Sequence, residues 1–320
     1  MTVCRRTALL AAPALMLSAG AHTEETFPSR PIRMIVPFPP GGPLDRIGRP
    51  LAEAMRTMLG QPIVFENRAG ANGIIGTQVV ATAAPDGYTL LITTGSFVGN
   101  MLFSPVPLPY DPARDLQPVT LVQYGSGLVL VGRPNLPAAS LDQVAQLARR
   151  ETEALSIAVS GAGNITQLAA RQFDRMVGSR LLEVVLATGP AITEVVAGHV
   201  DLVFAGASLV ADLVKEGRLR AYGYTGNHRS GLLPDVPLFT ELGYPDWKLF
   251  GMTGIWTRAG TPADRIGRVQ QSVAAGLRVP DVARIVAEGD SEPSGNTPAE
   301  FAAYLQREIA MQRSLAGMAP

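Results

Sequence analysis

The chain has 320 residues, 47% of them apolar and 17% charged, with 27 basic and 27 acidic side chains. That length can bury two full cores, and the apolar content excludes an intrinsically disordered chain. A net charge of zero, with Lys215 and Lys248 the only lysines, leaves no basic footprint for nucleic acid or for an anionic membrane surface.

The first 21 residues read as an export signal rather than as fold. A short basic region holding Arg5 and Arg6 precedes an apolar stretch over 8–17, which is too short to span a bilayer. Ala19-Gly-Ala21 fits a small-x-small cleavage site. Cleavage after Ala21 would leave a net charge of −2 and remove Cys4, the single cysteine, so no disulfide or thiol chemistry is expected. The export route, general secretory or twin-arginine, stays open. No later segment has 18 consecutive apolar residues.

Beyond the signal, short apolar runs alternate with helical periodicity. Strands are predicted over 32–38, 63–66, 88–94, 119–124, 128–131, 156–160, 181–186, 202–204, 219–224 and 249–256. Helices are predicted over 44–59, 74–83, 141–151, 165–176, 192–198, 209–216, 265–277, 282–287 and 298–316. Pro50 falls inside the first helix and should kink or interrupt it. The alternation predicts parallel α/β sheets. Two extended segments, 119–124 and 219–224, each run into turn-rich sequence and suggest two crossings between domains. The expected division is 22–122 plus 226–320 in one domain and 123–225 in the other, with a ligand cleft at the carboxyl ends of strands.

The most informative stretch is Val36-Pro-Phe-Pro-Pro-Gly-Gly-Pro-Leu-Asp45, a strand-to-helix turn. The first N–H groups of a helix lack internal partners and carry partial positive charge, and glycine lets a ligand approach the backbone. An anion site for a carboxylate and a plain connecting turn are both open readings. Three further helix mouths follow at Gly161-Ala-Gly-Asn164, Ala187-Thr-Gly-Pro190 and Gly206-Ala-Ser208. Asn164 or Thr166 could cap the second helix mouth, and Pro190 suits a first helical turn.

Groups for catalysis are missing from the pattern. His22, His199 and His228 are too dispersed for a zinc site, and neither a G-x-S-x-G elbow nor a nucleotide P-loop occurs. Gly161-Ala-Gly163 lacks the third glycine of a dinucleotide fingerprint, because position 166 is Thr. No enzyme activity, metal or cofactor is expected.

Several segments together resemble a known family. They are Phe27-Pro-Ser-Arg-Pro-Ile-Arg33, the 37–45 loop, Gly60-Gln-Pro-Ile-Val-Phe-Glu-Asn-Arg-Ala-Gly-Ala-Asn-Gly73, Pro85-Asp-Gly-Tyr-Thr-Leu90, Gly198-His-Val-Asp201, Gly217-Arg-Leu-Arg-Ala221, 229–237 and Ala259-Gly-Thr-Pro262. From Phe27 to Leu315 the chain resembles the periplasmic substrate-binding proteins of tripartite tricarboxylate transporters, the Bug or TctC type. The resemblance implies a type II periplasmic binding protein: two α/β domains joined by two crossing strands, closing on a small ligand. It implies a ligand site of Phe38, Gly41, Gly42, Asp45, Ser96 and Asn100 in one lobe. The other lobe would add Ser160, Gly163, Asn164, Thr166, Thr188, Ala207 and Ser208. Expected partners are a small organic acid and the permease subunits of the transporter, with the receptor a monomer in the periplasm. A periplasmic sensor feeding a two-component system and a cleft enzyme are the alternatives.

Two departures bear on ligand choice. The family usually has Tyr-Lys-Gly where this chain reads Val185-Leu186-Ala187, and Gln167 stands where histidine is usual. Loss of the lysine predicts a ligand with one or two carboxylates, or a largely neutral one, rather than a tricarboxylate.

Overall fold

A computed structural model of the chain describes residues 26–104, 106–150, 155–247 and 249–315. The export signal expected over 1–21 lies outside the described residues. The first lobe opens with β1 (Ile32–Val36), α1 (Pro43–Leu59), β2 (Ile63–Asn67), a single 3-10 turn (Ala71–Gly73), α2 (Ile74–Ala81) and β3 (Thr89–Thr94). It continues through α3 (Ser96–Phe103), α4 (Pro112–Asp115) and β4 (Leu116–Ser126). The second lobe follows as β5 (Val129–Gly132), α5 (Leu141–Ala148), β6 (Ser156–Val159), α6 (Ile165–Val177), β7 (Leu182–Val185), α7 (Thr188–Ala197), β8 (Leu202–Ala205), α8 (Ala207–Lys215) and β9 (Arg220–Tyr224). The chain then returns to the first lobe as β10 (Gly251–Arg258), α9 (Ala263–Gly276), α10 (Pro280–Glu288), β11 (Glu292–Pro293) and α11 (Pro298–Leu315).

Each lobe is a mixed sheet with helices on both faces. The first sheet runs β11-β4-β10-β3-β1-β2, the second β7-β6-β8-β5-β9. β1, β2 and β3 are mutually parallel, as are β6, β7 and β8, while β10 and β5 run antiparallel to their neighbours. Central parallel strands are covered on both sides, which is why β8 (Leu-Val-Phe-Ala) is apolar throughout and why β1 is apolar but for Arg33, whose guanidinium pairs with Glu66 of β2. In the first lobe, Leu51 and Val273 sit in the core on one face and Phe97 and Phe301 in the core on the other. In the second, Val144 and Phe173 serve one face, Val195 and Val210 the other.

Pro50 does not end α1, which runs unbroken to Leu59. Its buried stripe, Leu44, Ile47, Leu51, Met55 and Leu59, explains why. Each such side chain contributes roughly 1.5–3 kcal/mol on burial, which together outweighs the interior-proline penalty of about 3 kcal/mol.

The segment that leaves the first lobe, 127–128, runs beside the end of β9. Leu128 N–H donates to Thr225 Oγ1 (2.7 Å), Thr225 N–H to the Leu128 carbonyl (3.0 Å), and Gly127 N–H to the Tyr224 hydroxyl (2.9 Å). Residues 226–249, expected with the first domain, pack instead on the second. The chain doubles back along β9, with Tyr224 N–H donating to Pro237 O and Phe239 N–H to Tyr224 O, and Leu233, Val236, Phe239, Trp247 and Leu249 enter the second lobe's cores. Re-entry into the first sheet comes at Gly251. α11 spans both bodies: Phe301 and Leu305 lie in the first core, Met311 packs against the second, and the Ser314 carbonyl accepts from Arg175.

Candidate ligand-binding cleft

Parallel pairing decides where the loops gather. The carboxyl ends of β1, β2 and β3 all open on one edge of the first sheet, and those of β6, β7 and β8 on one edge of the second. The two edges meet, since Asn72 of the first lobe hydrogen-bonds the Ala162 carbonyl of the second (3.3 Å). Ligands in α/β sheets bind outside such ends.

The first loop begins after β1 with Pro37 and Phe38 and turns into α1 through Gly41 (φ +80°) and Gly42. Gly41 is exposed, and a Cβ there would meet nothing within 4 Å, so its backbone is open to approach. Asp45 stands in the first turn of α1 but does not face the cleft as a free carboxylate. Its Oδ2 accepts from Gly41 N–H (3.1 Å) and from Arg49 Nη2 (3.0 Å), and its Oδ1 accepts from Asn67 Nδ2 (2.9 Å). Burial pushes its pKa up, but the bonds from Asn67, Gly41 and Arg49 prevail and hold it below the ordinary carboxylate value. Asn67 Nδ2 also donates to the Phe38 carbonyl (3.1 Å), so Asp45 and Asn67 staple the loop at both ends.

The next loop supplies Ser96 and Asn100, both buried on α3. Thr94 Oγ1 donates to Ser96 Oγ (3.0 Å). The Asn100 side chain is taken up by Asn72: its Nδ2 donates to the Asn72 carbonyl (2.9 Å), and its Oδ1 accepts from Asn72 Nδ2 (3.0 Å). Neither Asn72 nor α3 is among the predicted elements. In α3, Phe97 and Met101, and Val98 and Leu102, stand at helical spacing, but over only eight residues with Gly99 and Asn100 between them, and Asn72 carries no chemical motif. Its one sequence signal is position, an Asn inside Gly70-Ala-Asn-Gly73, since Asn is among the residues that best tolerate a left-handed backbone.

In the second lobe, side chains are spent on shaping the loop. Asn164 caps α6, its Oδ1 accepting from Thr166 N–H (3.1 Å) and Thr166 Oγ1 (3.0 Å), and Thr166 Oγ1 in turn accepts from Ser160 N–H (2.9 Å). Ser160 Oγ pairs with Thr188 Oγ1 (3.1 Å), which ties the α6 mouth to the α7 mouth. Gln167 is buried: its Oε1 accepts from Gly163 N–H (3.0 Å) and its Nε2 donates to Glu183 Oε2 (2.6 Å). Glu183 also accepts from Arg171 Nε (3.0 Å). Leu186 packs against the α7–α8 core, Ala207 is buried at the start of α8, and Ser208 is exposed beside it.

Helix mouths, hydroxyls and main-chain groups of both lobes thus gather at the strand ends, on the side where the lobes meet at Asn72 and Ala162. A family model described as the tripartite tricarboxylate transporter family receptor matches residues 47–317. The chain belongs to this family. Protein BugT of Bordetella pertussis is 33% identical over 293 residues, covering 91% of this chain and 90% of that one. Among solved structures, the periplasmic binding protein BugD is 30% identical with a TM-score of 0.78, covering 90% of this chain and 97% of that one. MatC (Rpa3494) of Rhodopseudomonas palustris, solved with bound malate, is 29% identical with a TM-score of 0.79 and covers 90% and 99%. R. palustris Rpa4515, solved with adipate, is 27% identical with a TM-score of 0.81 and covers 92% and 99%. The fold is therefore that of the TctC/Bug receptors, whose members are periplasmic binding proteins.

Proposed function

We propose that this receptor captures a small organic acid with one or two carboxyl groups in the periplasm and delivers it to the membrane subunits of a tripartite tricarboxylate-type transporter. The reading is supported by helix mouths at the strand ends of both lobes, Gly41–Gly42 and Ser96 in the first and Ser160, Gly163 and Thr188 in the second, on the side where Asn72 meets Ala162. Such mouths favour anions through partial positive charge and N–H groups. Malate and adipate, found in two related structures, are dicarboxylates. Leu186, half-buried against the α7–α8 core where the family usually has lysine, fits a ligand of lower charge than a tricarboxylate. Binding is the whole mechanism: contacts made only in the closed state stabilise closure, and no covalent step is required.

Thermal-shift screening of the signal-free protein against malate, adipate, acetate and citrate tests the proposal. Ligand at about 100 times Kd adds roughly 2.7 kcal/mol of stability, which is easily read. Stabilisation by a mono- or dicarboxylate supports the reading. Tight binding of citrate with no response to the smaller acids refutes it. Uptake of that acid in a strain lacking the protein, compared with its parent, tests delivery to a transporter.

A further inference from the structure

Asn72 reaches further across the cleft than its role in the first lobe requires. Its backbone is left-handed (φ +52°), as is that of Ala71 (φ +46°). Two consecutive non-glycine residues in that region are strained, and such strain persists where the surroundings enforce it, most often at binding or switching sites. Here it aims the amide at the second lobe. Asn72 Nδ2 lies 3.3 Å from the Ala162 carbonyl, and Asn164 Nδ2 lies 3.5 Å from Asn72 Oδ1. Asn100 holds Asn72 from behind with two hydrogen bonds. The result is a chain of three asparagines running from α3 of one lobe to the cap of α6 in the other.

Beside it the two backbones touch. A Cβ on Gly99 would overlap the Gly163 carbonyl, and one on Gly163 would lie 2.6 Å from the Gly99 carbonyl oxygen. Gly163 has a left-handed φ of +69° and needs glycine for that reason as well. Gly99, in contrast, lies within α3, where alanine is intrinsically preferred. The three atoms that an alanine Cβ at position 99 would approach most closely all belong to Gly163 of the other lobe.

We propose that Asn72 and the Gly99–Gly163 contact form a latch between the lobes. Part of the closing free energy then comes from direct contacts of the chain with itself, and the ligand supplies the remainder. Apparent affinity scales with the fraction of molecules able to adopt the closed state, so the latch sets affinity without touching the ligand. Asn72 is a positioning residue in this scheme, and Asn100 and Asn164 serve closure rather than ligand contact. The latch rests on the two-lobed fold and not on the class of acid bound.

Spin labels at Thr57→Cys on α1 and Leu209→Cys on α8, both exposed, report the distance between the lobes with no ligand added. The parent is expected to show a short-distance component. Asn72→Gly keeps the left-handed backbone without strain and deletes the amide bridge, so that component should shrink by about threefold or more, beyond the modest fall in melting temperature that the bond lost to Asn100 brings. Gly99→Ala should abolish it, again without destabilising either lobe. A parent that lacks the short component, or variants that keep the parental distribution, would overturn the latch. So would a Gly99→Ala protein that loses stability at unchanged distance, because the glycine contact would then be a fixed part of the fold.

Discussion

Asp45→Ala separates a loop-shaping carboxylate from a ligand-contacting one. In the structure Asp45 accepts from Gly41 N–H and Asn67 Nδ2 and pairs with Arg49. Hydrogen bonds to a charged acceptor contribute about 1.5 kcal/mol each at the low end of their range. The Arg49 side chain is 53% exposed and relaxes into water, so that pair adds at most about 1 kcal/mol. Interaction with the helix dipole adds roughly 0.3–1 kcal/mol. Gly41 is exposed and Asn67 keeps the Phe38 carbonyl, which offsets part of the loss. The expected destabilisation is about 3 kcal/mol, read as a lower urea midpoint at unchanged slope. Because the folded pKa is lowered from 3.8, the contribution is complete above that value and disappears as pH falls through the folded one. The gap between variant and parent should therefore narrow in acid. A variant within about 0.5 kcal/mol of the parent at pH 7, yet unable to bind, would refute the stapling role and return Asp45 to direct ligand contact.

Other perturbations reach different parts of the molecule. Gly42→Val should abolish binding and spare the fold, since a Cβ there meets only the Pro39 carbonyl at 3.6 Å; calorimetric titration with retained affinity would remove the first loop from the site. Gln167→Leu strips an acceptor from Gly163 N–H and a donor from Glu183, and should cost about 1–3 kcal/mol in denaturant titration. Glu308→Gln should stabilise. Glu308 is buried on α11, and burial pushes its pKa up against the opposing bond from Gln312, so the folded state resists the ionisation that the unfolded chain undergoes above about 4.5. The gain in melting temperature should be present at pH 7 and vanish in acid; a gain that persists below pH 4 contradicts this origin.

Sequence discloses the sheets more readily than the joints. β8 is legible because a strand covered on both faces is apolar throughout, and β1 and β3 because Arg33 and three threonines are their only polar residues. α1 is legible from its stripe, but its passage through Pro50 is not, since local propensity does not count the five side chains that hold it against the sheet. The division at 225/226 fails to anticipate 226–249 for a related reason. A turn-rich segment looks like a linker until the contacts of Phe239 and Trp247 with Phe204 are known, and those residues are distant in sequence.

The cleft poses a harder problem, because residue type shows which groups are present and not which way they are spent. Asp45 and Thr166 are recognisable as polar groups at helix mouths, yet both are consumed in holding backbone, as are Gln167 and much of Asn164. On the proposed function, a site that grips its ligand largely with main-chain groups needs side chains to fix that main chain, and these four residues would be its supports. By the same reasoning, choice of ligand depends on how far the two lobes can close as well as on which side chain points inward. On the proposed latch, a single methyl group at position 99 would alter that distance, since its Cβ would overlap the Gly163 carbonyl.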